Sequence, residues 1–194
     1  MKQARPRSGG TPGDDRLAEY LHELGLLKLV RRSGWWLAGI KDAESVAEHG
    51  FRAAAVAFFL ARMEGADAAR ALAMAIFHDA AEARTLDLHR LARKYIDGAR
   101  AEAKASREQT GRLPRDLAGH LGGILDELRA GTTLVARVVK DADRLECLLQ
   151  AREYQQQGYP VDEWIRSSME ELSTRSAKGL ARAILRVQPR RRPR

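Results

Sequence analysis

From residue 14 onward, apolar side chains return every three or four positions through most of the chain, the spacing of amphipathic helices. Leu17, Tyr20, Leu21 and Leu24 predict a first helix, capped by Asp14 or Asp15 and ended by Gly25. Ser45 and Glu48 form a capping box that starts a second helix, and its stripe His49, Ala53, Val56 and Leu60 faces a core. Gly65 and Asp67 separate it from a third, over 68–83, whose inner face carries Leu72, Ala75, Ile76, Asp79 and Ala80. A long charged helix follows over 88–109, with Leu91, Tyr95, Ile96 and Ala99 on one side, while Arg90, Arg93 and Lys94 face water. Pro114 opens a helix over 117–128, on which His120 is a structural residue. Gly131-Thr132-Thr133 ends that helix and caps the next, over 134–156, with the stripe Val138, Ala142, Leu145 and Leu149. Gly158, Pro160 and Asp162 turn the chain into a last helix over 163–187. Arg31-Arg32-Ser33-Gly34-Trp35-Trp36 breaks the pattern and predicts a loop. Strand alternation, internal repeats and a phosphate-cradling glycine loop are all missing from the sequence. The expected fold is all-α and single-domain.

Composition adds a boundary at each end. The 194 residues are 44% hydrophobic and 31% charged, ordinary for a globular domain. The net charge of +8 is confined to the termini: residues 1–13 contribute +3 and residues 186–194 contribute +5. The body between is neutral, so the basicity describes two tails rich in Pro, Gly and Arg, with too little apolar content to fold. We expect flexible tails over 1–13 and 188–194 around a domain over 14–187. Nucleic acid could touch such tails, but no aromatic or motif context accompanies them. The longest apolar run, residues 53–61, is too short to cross a bilayer, and no apolar leader is present, so no membrane partner is expected. Cys147, the single cysteine, sits in an apolar stretch and predicts a buried thiol in a reducing, cytoplasmic setting.

The chemistry gathers at His78 and Asp79. Glu82 follows four and three residues later and shares their helix face. Asp79 falls on the apolar side, where a carboxylate is costly unless it is paired or holds a cation. His49 heads the inward stripe of another helix. Alone it would be a packed core histidine; opposite a His-Asp pair it becomes a second metal ligand. Asp141 and Asp143 both stand open as a further ligand, the alternative for Asp141 being a surface pair with Arg144. Two arginines and two indoles over 31–36 can hold a phosphate and stack a ring.

Ser45-Val46-Ala47-Glu48-His49, His78-Asp79-Ala80-Ala81-Glu82-Ala83-Arg84-Thr85-x-Asp87 and Lys140-x-x-Asp143, in that order, resemble the HD-domain 5′-deoxynucleotidase family of the HD phosphohydrolase superfamily. Arg32-x-Gly34-Trp35 resembles its upstream Arg-Trp element. Leu86 stands where many members carry glycine, and Arg32 and Trp35 are separated where some members have them adjacent.

The resemblance implies an HD-type helical bundle, a homodimer and hydrolysis of nucleoside 5′-monophosphates. It implies that His49, His78, Asp79 and Asp143, rather than Asp141, hold one divalent ion, which Mn, Co, Fe, Ni or Zn could each supply. Glu82 would orient water or pass a proton to the leaving 5′-oxygen, and Arg32 would offset charge on the phosphate. Asp87, just past the metal-bearing helix, would accept a hydrogen bond from the sugar 3′-hydroxyl, and Trp35 would wall off a 2′-hydroxyl. Asp87 could instead cap a helix beginning at Leu88. Other readings are an HD hydrolase acting on triphosphates or cyclic nucleotides, a two-iron oxygenase needing more histidines than His89 and His120 supply, and a non-catalytic module binding through its pocket or tails.

Overall fold

The computed structural model describes residues 11–189, so most of both tails lies outside the described residues. The chain is built from α-helices and short 3₁₀ turns, with one isolated bridge between Arg31 and Ser45 in place of any sheet among the described residues. No described helix is long and apolar enough to cross a membrane.

Helix α1 spans Pro12–Leu24. Its cap is Thr11 rather than Asp14 or Asp15, with Pro12 in the first turn. Asp14 instead reaches back to the Thr11 amide and hydroxyl, closing a capping box. Thr11, Pro12 and Gly13, expected in the tail, thus belong to the folded body. A 3₁₀ turn, Gly25–Lys28, follows, and the segment expected as a loop is a second one, Ser33–Ala38.

Helix α2, Val46–Glu64, begins at the predicted Ser45–Glu48 box. Helix α3, Ala68–Phe77, is capped by Asp67 and ends six residues earlier than expected. Here the His78 ring nitrogen Nδ1 takes the Ala75 carbonyl at 2.7 Å, the acceptor that residue 79 would use in a continuing helix. The ladder tightens to three-residue bonds, Ala80 to Phe77 and Glu82 to Asp79, before a single turn, α4, Glu82–Thr85. Gln109 pins this turn by donating to the Ala80 carbonyl at 3.0 Å.

The expected helix over 88–109 is two pieces. Residues 86–91 are mostly irregular, a 3₁₀ turn covers Ala92–Lys94, and helix α5, Gly98–Thr110, starts only after its cap Asp97. Arg90 is not simply solvated: it pairs with Glu163 and lies over the Trp164 ring at 5.6 Å. Helix α6 spans Arg115–Ala130, leaving His120 on the surface rather than in a structural contact, and α7 spans Leu134–Gln156. The expected last helix is also split, into α8, Asp162–Glu170, and α9, Arg175–Arg186. Asp141 explains that split. It is 1% exposed and accepts hydrogen bonds from the amides and hydroxyls of Ser173 and Thr174, fixing the start of α9. It is therefore no surface partner of Arg144, which pairs with Glu171.

The core forms where α2, α3 and α7 pack together, with α9 closing one side. Leu60, Met74, Leu145 and Leu148 are fully buried there. Truncating either leucine of α7 to alanine costs about 2–5 kcal/mol. The same packing brings the first turn of α2, the end of α3 and the middle of α7 to one place.

Candidate metal centre

His49, His78, Asp79 and Asp143 converge from those three elements. His49 Nε2 lies 3.3 Å from His78 Nε2 and 3.1 Å from Asp143 Oδ1. His78 Nε2 lies 3.1 Å from Asp79 Oδ2, and the remaining His–Asp separations are 3.7 and 4.0 Å. Donors about 2.1 Å from a first-row metal and at right angles stand about 3 Å apart, so this spacing fits one divalent ion. Asp141 points away, into the cap of α9.

Both rings are oriented for the task. The Ala75 carbonyl can only accept, so His78 Nδ1 carries the proton and Nε2 is free to ligate. His49 is fully buried and directs Nδ1 to Glu146, itself fully buried. Arg52 holds Glu146 in turn, with Nε at 2.9 Å and Nη2 at 2.8 Å from Oε1, while Nη1 donates to Glu153 and Nη2 also to Gln150. The Arg52–Glu146–His49 chain is the usual support of a ligating imidazole. Sequence reasoning assigned no role to Glu146 or Arg52. The available signal was a carboxylate on the buried stripe of α7, three residues after Asp143.

The electrostatics suit a cation-binding site. Burial and Arg32 push the His49 imidazole down, but Asp143 and Glu146 outweigh them and raise it to about 10. Burial opposes ionisation of Asp79, yet His78, His49 and Arg32 draw it down to about 2. Asp143 is likewise held well below the usual carboxylate range, against burial, by His49, His78 and Arg32. The carboxylates thus hold protons on imidazoles where a divalent ion would take the nitrogens.

Around the cluster stand the other expected residues. Arg32 Nη1 is 3.5 Å from Asp79 Oδ2. Glu82 is 4% exposed, and its Oε2 has no partner. Burial, with Asp79 and Asp87 nearby, lifts its carboxyl to about 9. Asp87 caps no helix at Leu88. Its Oδ2 instead accepts from the Ser33 and Gly34 amides, and Ser33 Oγ donates to the Asp87 carbonyl while accepting from the His89 amide. The two strands of this clamp hold Arg32 beside the cluster. The clamp begins with Leu86 at φ +62°, the one non-glycine residue with positive φ among the described residues and the position where glycine was noted as common.

Trp35 is 2% exposed, donates to Glu44 at 3.0 Å and stacks on Trp164 with ring centres 5.7 Å apart. It lines a cavity of about 160 Å³ with Arg32, Asp87, His89, Cys147 and Trp164. Trp36 lies 53% exposed and lines a different hollow. Cys147 has its thiol pushed up to about 12 by burial, consistent with an inert side chain.

Comparison with known proteins gives the family and the fold. The family model described as HD domain matches residues 24–185. The 5′-deoxynucleotidase HDDC2 of Bos taurus is 32% identical over 146 residues, covering 74% of this chain and 70% of that one. The chain belongs to the HD-domain 5′-deoxynucleotidase family. Among solved structures, a predicted metal-dependent phosphohydrolase from Magnetospirillum magnetotacticum is 26% identical with a TM-score of 0.70, covering 89% of this chain and 90% of its own. A conserved hypothetical protein from Pyrococcus furiosus is 29% identical with a TM-score of 0.74, covering 88% of this chain and 99% of its own. The all-α architecture is that of the HD fold.

Proposed function

We propose that this family member removes the 5′-phosphate from deoxyribonucleoside monophosphates, using one divalent ion held by His49, His78, Asp79 and Asp143. Membership in the family makes the chain a metal-dependent nucleotide phosphohydrolase. The observation that carries the finer reading is the meeting of two oriented imidazoles and two carboxylates beside a guanidinium and a buried carboxyl with an unpartnered oxygen.

His49, His78, Asp79 and Asp143 would hold the ion, which when bound would supply positive charge to the phosphate and lower the pKa of water. Arg32 offsets charge on the phosphoryl oxygens. As the water oxygen bonds to phosphorus, the bond to the 5′-oxygen breaks. Glu82 gives its proton to that leaving oxygen and regains one from the attacking water, so that nucleoside and hydrogen phosphate leave and the acid is restored. Asp87 spends one oxygen on the Ser33 and Gly34 amides and offers the other to the 3′-hydroxyl, for about 1.5–3 kcal/mol. Trp35, backed by Trp164, is a rigid wall against a 2′-hydroxyl. Among the described residues no set reads a base edge, so preference among bases is small. The reading includes a cytoplasmic homodimer whose activity resides in residues 14–187, extended by the three folded residues before them, with the basic tails dispensable.

The test is phosphate release from a panel of nucleotides, with each divalent metal returned to chelator-stripped protein. Deoxyribonucleoside monophosphates are expected to lead. Equal efficiency on ribonucleotides removes the role given to Trp35, and turnover confined to triphosphates or cyclic nucleotides overturns the substrate assignment.

A further inference from the structure

Helix α2 is apolar on both sides. Ala53, Ala57 and Leu60 face the core at 1% exposure or less, while on the opposite side Phe51 is 80% exposed, Phe59 62% and Met63 58%. A helix apolar all round is ordinarily covered all round. Here α3, α7 and α9 cover one side, and the exposures leave the other open among the described residues.

The open side is ordered about Ala55. Phe51 and Phe59 stand four residues before and after it, and Glu48 and Arg62 seven before and after. At 100° per residue these five positions share one face, directed away from Ala57. A two-fold axis through Ala55, running two copies of α2 antiparallel, sets Phe51 against the partner's Phe59 and Glu48 against the partner's Arg62. The small side chain falls where two helices come closest. Glu48 keeps one oxygen for that pair: its side chain is 68% exposed, and the Ser45 box and Arg31, at 4.0 Å, both meet Oε2. An unrelated partner would not require residues of opposite charge at equal distances from one small residue; a self-complementary surface does.

We propose that the outward face of α2 is the contact between two copies of this chain, paired antiparallel about Ala55. It rests on the homodimer reading and supplies its surface. Light scattering of the full chain then gives twice the 21.6 kDa of one copy. Ala55→Glu, which sets two like charges on the axis, halves that mass while circular dichroism stays helical. Ala55→Cys in a Cys147→Ser background forms a disulfide-linked dimer on oxidation, because only residues on the axis meet their own copies within the roughly 7 Å Cα separation a disulfide allows. Met63→Cys in the same background does not. Should Ala55→Glu fail to fold, the cross-link decides. A dimer that survives Ala55→Glu, or one without the residue-55 cross-link, overturns this surface and leaves the dimer standing. A monomeric wild type overturns both. Phosphate release, measured separately, decides the hydrolase reading.

Discussion

Glu146→Gln separates the metal-supporting role of that residue from simple packing. The substitution keeps size and shape but removes the negative charge. In the wild type the carboxylate is fully buried and receives His49 Nδ1 on one oxygen and two Arg52 nitrogens, at 2.8–2.9 Å, on the other. An amide can still accept from His49, but it no longer strengthens the imidazole as a ligand. Loss of such a supporting group ordinarily lowers metal affinity about 10–100-fold, or about 1.4–2.7 kcal/mol. Glu146→Ala adds a stability cost of about 3–5 kcal/mol, because Arg52 and His49 lose their buried partner. Arg52 keeps Glu153 at 2.6 Å and Gln150 at 2.7 Å, which sets the expectation at the lower end. Metal affinity is read by competition with a chromogenic chelator, and stability by urea unfolding of the metal-free protein. Unchanged affinity in a folded Glu146→Gln variant refutes the Arg52–Glu146–His49 account.

Glu82→Gln should retain bound metal and lose about 10²–10⁴-fold in kcat, the range for a general acid; steady-state kinetics with metal analysis checks both halves. Asp143→Ala should lose metal, whereas Asp141→Ala should keep it and melt earlier, because the Ser173 and Thr174 donors lose their buried acceptor, at about 1–3 kcal/mol; metal content per folded chain tells the two apart. Leu86→Gly should stabilise the chain by up to about 1 kcal/mol, since positive φ strains leucine by more than the added freedom of glycine costs the fold; a lower melting temperature would count against strain at this residue. Glu23 is held below its ordinary 4.5 by hydrogen bonding to Arg84, against partial burial. Its contribution is therefore full above pH 4.5 and is lost as pH falls through the lowered value, so the stability gap to Glu23→Gln, from urea titrations, should be wide at pH 7 and close in acid.

Much of the centre is readable in one dimension because its constraints are local. Ser45 and Glu48 satisfy orphan amides three residues apart, which fixes where α2 begins and puts His49 in its first turn. His78 and Asp79 are neighbours in the chain, and a carboxylate on an apolar face already asks for a cation. The stripe of α7 leaves Asp141 and Asp143 both open, and only the Lys140-x-x-Asp143 resemblance favours the second; the more deeply buried of the two is Asp141. Other features depend on what arrives from elsewhere in the fold. No glycine or proline marks the break of α3 at Phe77: the His78 ring takes the Ala75 carbonyl three residues back, a side-chain orientation that composition does not reveal, while its Nε2 meets His49 from another helix. Asp87 looks like a helix cap until residues 33 and 34 come to meet its carboxylate. Asp141 looks like a surface acid until Ser173 and Thr174 donate to it across more than thirty residues of sequence. Periodicity and capping report hydrogen bonds closed within one turn. A buried carboxylate chooses among all donors that the folded chain brings within about 3 Å, and that choice belongs to the tertiary structure.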